Sequence, residues 1–143
     1  MKDFRDLTVW QYAHQLTLAV YRDTKQFPRE ETYGLVSQLR RCSASVAANI
    51  AEGCGRSGNA EFGRFLTMAM GSASELEYFL LLARDLGYLP SDRHTEITTQ
   101  VISMRRMLNR LLSKVQYERE SAYQRQNRSK EHSAGSTRAL AKC

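Results

Sequence analysis

The chain has 143 residues, of which 42% are hydrophobic and 25% are charged, with a formal net charge of +6 at pH 7. This length predicts one domain with its own hydrophobic core. The longest apolar run, residues 78–83, is too short to cross a bilayer, and no apolar segment follows Met1. We therefore expect a soluble cytoplasmic protein that makes no membrane contact. The three cysteines match no metal-ligand or redox spacing, which argues against a disulfide scaffold.

The positive charge is concentrated towards the C-terminus. Residues 1–120 contain 16 Lys and Arg against 14 Asp and Glu, whereas residues 121–143 contain five against one. The first part is therefore close to neutral, and its total charge is weak support for an anionic partner. We expect residues 121–143 to be a basic polar tail that extends the last helix for a turn or two and then becomes disordered. Such a tail is either a nonspecific nucleic-acid-binding arm or a solubilising tail.

Apolar residues recur at spacings of three and four in four successive segments, which predicts four helices. We place helix one at 7–26, helix two at about 33–52, helix three at 59–86, and the start of helix four at 91 or 92. Thr8 and Gln11 have the spacing of a capping box for helix one. Asn49 lies beside the core face of helix two, where we expect a hydrogen bond to a neighbouring helix.

A glycine-rich loop follows helix two and reads Gly53-Cys54-Gly55-Arg56-Ser57-Gly58. Its three glycines match the dinucleotide-binding pattern, but that site requires a strand before the glycines, and here a predicted helix precedes them. We interpret Gly53 as a left-handed residue that ends helix two, and the loop as a turn. An alternative is that Arg56 and the free amides of the next helix hold a phosphate or carboxylate.

Helix three carries two apolar seams on different faces. The second seam includes Phe65, Met68, Phe79 and Leu82. A helix that is apolar over much of its circumference must bury the additional face against something else, so these four residues are candidates for an oligomer interface. The alternative is that helix three is simply the central helix of its own bundle.

Helix four combines an apolar seam with a basic outer face. Arg106, Arg110 and Lys114 follow at steps of four, with Arg105 beside them. None of the four has an acidic residue four positions earlier that could form an ion pair. This pattern is typical either of a solvated face or of a helix that contacts phosphates.

No group of residues predicts catalysis. Glu75 and Glu77 are two positions apart and must point away from each other on a helix, so they cannot share a metal or substrate. We predict no catalytic residues, no metal site and no cofactor.

Four separated blocks, in order, resemble one protein family. They are Phe4-Arg5-Asp6-Leu7-Thr8-Val9-Trp10-Gln11, Phe27-Pro28-Arg29-Glu30-Glu31, the stretch from Gln38 to Arg56, and Phe62 through Gly71-Ser72 to Glu75-Leu76-Glu77. The chain resembles, over about residues 3–118, the small four-helix bundle proteins first noticed as open reading frames within intervening sequences of bacterial 23S ribosomal RNA genes. That family is similar in turn to the accessory proteins of diversity-generating retroelements, which are pentameric bundles that bind nucleic acid and a reverse transcriptase.

The resemblance implies an all-α, antiparallel up-down-up-down bundle that assembles into a homopentamer and has no known catalytic activity. We expect a left-handed bundle formed by residues 1–120. The family pattern carries over at seven positions, namely Arg40, Arg41, Asn49, Glu52, Gly53, Gly55 and Arg56.

Our leading hypothesis is a noncatalytic oligomer that associates with nucleic acid, and RNA is the favoured ligand. Arg105, Arg106, Arg110 and Lys114 would contact phosphates, and Arg40, Arg41 and Arg56 form a second candidate cluster. The competing hypothesis is a protein-interaction scaffold that binds another protein and no nucleic acid. A small-molecule-binding or enzymatic bundle would require a pocket that the sequence does not disclose.

Overall fold

The structure is a computed structural model that describes residues 2–141. Its four α-helices are α1, Thr8–Thr24; α2, Leu35–Gly55; α3, Gly58–Asp85; and α4, Ser91–Leu140. Two short 3-10 helices, Phe4–Asp6 and Arg29–Glu31, precede α1 and α2. No strand occurs in the described range. The prediction of an all-α fold with four helices is confirmed.

The four helices share one core. α2 contacts α1 and α3 along its length, α3 also contacts α4, and α1 contacts α4. Each helix contributes a side chain with at most 2% exposure, for example Leu16, Leu39, Leu66 and Met104. Burying a side chain of this size stabilises the fold by roughly 1.5–3 kcal/mol. The apolar stripes read from the sequence are therefore the stripes that form this core.

The start of α1 differs from the prediction, and the start of α2 is capped by a side chain that precedes the helix. The capping box is wrong, because α1 has no side-chain cap and Gln11 Nε2 instead donates to the carbonyl of Arg5 at 2.8 Å. The 3-10 helix before α1 brings that carbonyl within reach. At α2, the carboxylate of Glu31 accepts a hydrogen bond from the Leu35 amide at 2.9 Å. A side chain outside the helix thus satisfies one of the free amides at its start.

The turn between α2 and α3 is organised differently from the prediction. Gly53 is not a left-handed residue that ends α2, since α2 continues to Gly55 and the positive φ, +80°, belongs to Gly58. Gly53 is buried, and a Cβ at this position would lie 2.9 Å from Cβ of Phe65 and 3.0 Å from the ring of Phe62. Glycine is therefore required here by the close approach of α3.

α4 is much longer than its neighbours and changes character along its length. Val115 is its last buried residue, and residues 116–140 continue the helix without a buried side chain. We name residues 116–140 the distal segment. We expected the helix to end within one or two turns of residue 120, whereas in the structure it continues to Leu140.

Candidate functional site

The outer face of α4 carries three cations, Arg106, Arg110 and Lys114, which we name the basic stripe. All three side chains are exposed. Steps of four place successive members about 6 Å apart along the helix and about 40° apart around it. Within residues 2–141, none of the three forms an ion pair. The stripe therefore presents three uncompensated positive charges to solvent.

Lys114 lacks a partner for a specific reason. Glu118 lies four residues later, at a spacing that allows an ion pair on a helix. Its carboxylate instead accepts a hydrogen bond from Asn59 Nδ2 of α3 at 3.3 Å. The nearest carboxylate on α4 is thus directed towards the bundle and away from the stripe.

Arg105 does not share the character of the basic stripe. It forms an ion pair with Glu77 of α3, with both side chains about one-third exposed. Its Nε is buried without a hydrogen-bond partner. The interpretation of Arg105 as an unpaired cation is therefore wrong, because its partner lies on a different helix and not four residues earlier on α4. As a phosphate contact it stays a prediction.

The second candidate cluster is dispersed in the structure. Arg40 donates from Nε to Thr24 Oγ1 at 2.9 Å and lies over the ring of Tyr21, 4.7 Å from its centroid. Arg41 forms an ion pair with Glu75 of α3. These two arginines lie towards the start of α2, whereas Arg56 follows its end, roughly 23 Å away at 1.5 Å per residue.

Arg56 also has an intramolecular partner. Its guanidinium binds Glu52 at 2.7 Å and lies 5.2 Å from the centroid of the Phe65 ring. Arg40, Arg41 and Arg56 therefore do not form one basic surface, and each is engaged within the protein.

Polar side chains connect α2 to α3 beside the core. We expected Asn49 to form a hydrogen bond to a neighbouring helix. Within residues 2–141 its amide instead donates to the carbonyl of Ser45 at 2.8 Å and to the Ser45 hydroxyl at 3.1 Å, both in its own helix. The Ser45 hydroxyl in turn shares a hydrogen bond of 2.9 Å with Ser72 of α3. The link between the two helices thus passes through Ser45, a residue that the sequence did not single out.

Two glutamates of α3, Glu75 and Glu77, and the thiol of Cys42 in α2 interact within the bundle. Glu75 and Glu77 pair with arginines of two different helices, α2 and α4, which confirms that they point apart. Burial raises the pKa of the Cys42 thiol from 9.0 to about 12, with a smaller contribution from Glu75. A thiol with so high a pKa is a poor nucleophile at neutral pH. Among the residues described, no group of three potential metal ligands comes together.

The four residues proposed for an oligomer interface occupy different environments. Phe65 is buried within its own chain, at 4% exposure, under the guanidinium groups of Arg56 and Arg64. Met68 is exposed at 45%, while Phe79 and Leu82 are partly buried against the core. The exposed apolar surface of α3 also includes Tyr78 and Leu81, at 57% and 38%, which the sequence analysis did not select.

Comparisons with known proteins place this fold in a family. A family model described as 23S rRNA-intervening sequence protein matches residues 5–110. The chain is also similar to a crystal structure of a protein of unknown function from the S23 ribosomal protein family of Bacteroides thetaiotaomicron. That similarity has a TM-score of 0.68 at 20% identity and covers 73% of this chain and 95% of the other. At this identity the likeness shows a shared fold. The comparison with curated proteins gave no match.

No helix within residues 2–141 is both long enough and apolar enough to span a membrane.

Proposed function

The chain belongs to the family of 23S rRNA-intervening sequence proteins, and from that premise we propose that it is a noncatalytic cytoplasmic protein that binds nucleic acid. We expect its ligand to be RNA rather than DNA. The observation that carries this proposal is the basic stripe on α4. Arg106, Arg110 and Lys114 are exposed and aligned, and within the described chain they lack carboxylate partners. Arg105 next to them does have one.

The electrostatics of the stripe favour an anionic ligand. Like charges at a spacing of four repel each other on a helix by a few tenths of a kcal/mol per pair. The bundle does not offset this repulsion, because Glu118 is bound to Asn59 and Glu77 to Arg105. Phosphate groups would offset it, and their binding would release condensed counterions from the nucleic acid.

We also propose that the chain forms a homo-oligomer, with the homopentamer of the resembling proteins as the expected state. Exposed apolar side chains on α3, among them Met68, Tyr78 and Leu81, support an interface on that helix. Only two residues connect α2 to α3 and five connect α3 to α4. Such short connections favour antiparallel neighbours, as in the up-down-up-down bundle that we expect, and we propose the left-handed twist that is usual for such bundles.

The nucleic-acid proposal is tested by binding of the full chain to a labelled structured RNA across a salt series, with a DNA duplex in parallel. The test variant changes Arg106, Arg110 and Lys114 to Glu. The matched control changes Arg22, Lys25 and Arg29 to Glu; these cations are exposed and form no ion pair with any residue from 2 to 141. Both variants therefore change the net charge equally.

We expect the unaltered chain to bind with a steep salt dependence. The test variant should lose about 2.7 units of log–log slope, because three phosphate contacts supply about 0.9 each. The control should keep the slope of the unaltered chain. Equal loss in both variants would mean that net charge alone attracts the ligand. Absence of binding at low salt would refute the proposal.

A protein-interaction scaffold is the second candidate, favoured by the same exposed side chains of α3. Light scattering distinguishes self-assembly through the exposed side chains of α3 from binding of another protein there. An oligomeric mass that falls to one chain when Tyr78 and Leu81, which lie three residues apart on one side of α3, are both changed to Lys would support the self-assembly interface. A mass of one chain for the unaltered protein at micromolar concentration would rule out the oligomer and leave this surface free for another protein.

A further inference from the structure

The distal segment of α4 carries cations on the same side as the basic stripe. The helix turns by about 100° per residue. At that rotation, Arg125 and Arg128 fall with Arg106, Arg110 and Lys114 inside a sector of about 100° of the circumference. The helix is continuous from Ser91 to Leu140, so the rotation accumulates without a break between the two groups. We name these five residues the extended stripe.

This sector contains no carboxylate between its first and last cation. The two acidic residues in that interval are Glu118 and Glu120. Glu118 is directed to Asn59 of α3, as described above, and Glu120 falls about 40° outside the sector. Arg125 donates from Nε to the carbonyl of Ser121 in its own helix, and the Arg128 side chain forms no ion pair within residues 2–141. Glu131, three residues after Arg128, lies about 20° outside the sector, and within the described residues it pairs with neither arginine.

The cations are grouped along the helix axis. The first group, residues 106–114, extends over about 12 Å at 1.5 Å per residue. The second group, Arg125 and Arg128, is centred about 25 Å from the centre of the first. Between them the sector carries neutral side chains, those of Tyr117, Ser121 and Gln124. Tyr117 is 71% exposed and is the one aromatic side chain of this interval that lies within the sector.

This grouping distinguishes between two forms of nucleic acid. A single strand offers a continuous series of phosphates, and proteins that bind it add several aromatic side chains on which successive bases stack. A double helix presents its phosphates as ridges separated by grooves, with a full repeat every 34 Å or so. A neutral interval between two groups of cations suits the second form, and one aromatic residue is a poor stacking platform.

We propose that the extended stripe is a single binding surface for double-helical nucleic acid, in which the two cation groups contact phosphate ridges on either side of a groove. The distal segment would then be part of the binding site, not a solubilising tail. This inference rests on the proposed function, because it assigns the form of the ligand that the basic stripe binds. Duplex RNA and duplex DNA share the relevant chemistry, and the experiment includes both.

The experiment compares two double variants of the full chain that differ only in the side of the distal segment that loses charge. One variant changes Arg125 and Arg128 to Ala. The control changes Arg119 and Lys130 to Ala, which are exposed cations of the same segment on the opposite side of the helix. Each variant loses two positive charges, and the replacing residue, alanine, is a good helix former. Circular dichroism verifies that both remain helical.

Binding is measured with 20-base-pair RNA and DNA duplexes and with an unstructured single strand of matched phosphate number. Loss of two phosphate contacts should lower the salt slope by about 1.8 and weaken duplex binding roughly 60-fold at 0.1 M salt. We expect that loss for the Arg125 and Arg128 variant and less than a threefold change for the control. Replacing the same two arginines by Lys should restore most of the affinity, because the charge is retained.

Each outcome decides the inference. Equal effects of the two double variants would overturn it while leaving the proposed function intact, provided that the basic-stripe variant still loses binding. Single-strand binding as tight as duplex binding would overturn the assignment to a double helix. If the unaltered chain binds none of the probes at low salt, this inference and the proposed function both fail.

Discussion

Replacing Gly53 by Ala tests the packing of α2 against α3 most directly. In an unhindered helix interior, Gly to Ala stabilises a protein by roughly 0.5–1 kcal/mol. At Gly53, however, the new methyl group would lie 2.9 Å from Cβ of Phe65 and 3.0 Å from the ring of Phe62. Cβ of Phe65 is fixed to its backbone, so α3 itself must shift, and overpacking of this kind costs about 1–3 kcal/mol. We therefore expect a net loss of up to about 2 kcal/mol.

Gly71→Ala is the matched control, because Gly71 is exposed in the interior of α3 and a Cβ there meets nothing within 4 Å. Gly55→Ala, equally open, serves as a second control near the end of α2. Urea unfolding followed by circular dichroism, at one protein concentration, gives the free energy of unfolding. The Gly53 and Gly71 variants should differ by about 1–3 kcal/mol, which is the overpacking cost alone. If the two variants agree within 0.5 kcal/mol, the close approach of α3 at Gly53 is refuted.

Two further predictions concern Cys42 and the distal segment. The thiol of Cys42 ionises near pH 9 in the unfolded chain and near pH 12 in the folded one, so its contribution to stability is complete below pH 9 and is lost as the pH rises from 9 to 12. Between pH 8 and 10 the unfolding free energy of the unaltered chain should fall by about 1.4 kcal/mol more than that of Cys42→Ala, and parallel curves would contradict this. In the distal segment, amide hydrogens of residues 121–140 should exchange orders of magnitude faster than those near Met104, because a helix without a buried face has little stabilisation beyond its own propensity. Hydrogen exchange by mass spectrometry measures this, and equal protection would indicate that the segment packs against a partner.

Much of the fold followed from local pattern. The apolar residues of helix four, spaced by three and four, predicted a buried seam that the structure contains, from Ile97 to Val115. Exposed cations at steps of four predicted the basic stripe for the same reason, since their relative direction depends only on the geometry of one helix. The helix boundaries were less accurate: α2 extends to Gly55 and α4 to Leu140, beyond the expected ends.

The features that the sequence did not disclose depend on a second element. Arg105 has its partner, Glu77, on α3, and the carboxylate of Glu118 is held by Asn59 of the same helix. Phe65 belongs to an apolar seam in sequence, and part of its cover comes from Arg56, which lies after the end of α2. No spacing within one helix contains this information.

The sequence by itself determined the four helices, the stripe that each one buries and the alignment of the cations on α4, because these are periodic properties of a single helix. Only the tertiary structure decided which charges remain unpaired and why Gly53 must lack a side chain. Those properties depend on how far each helix is rotated and displaced relative to its neighbours. The packing of whole side chains sets that rotation and displacement.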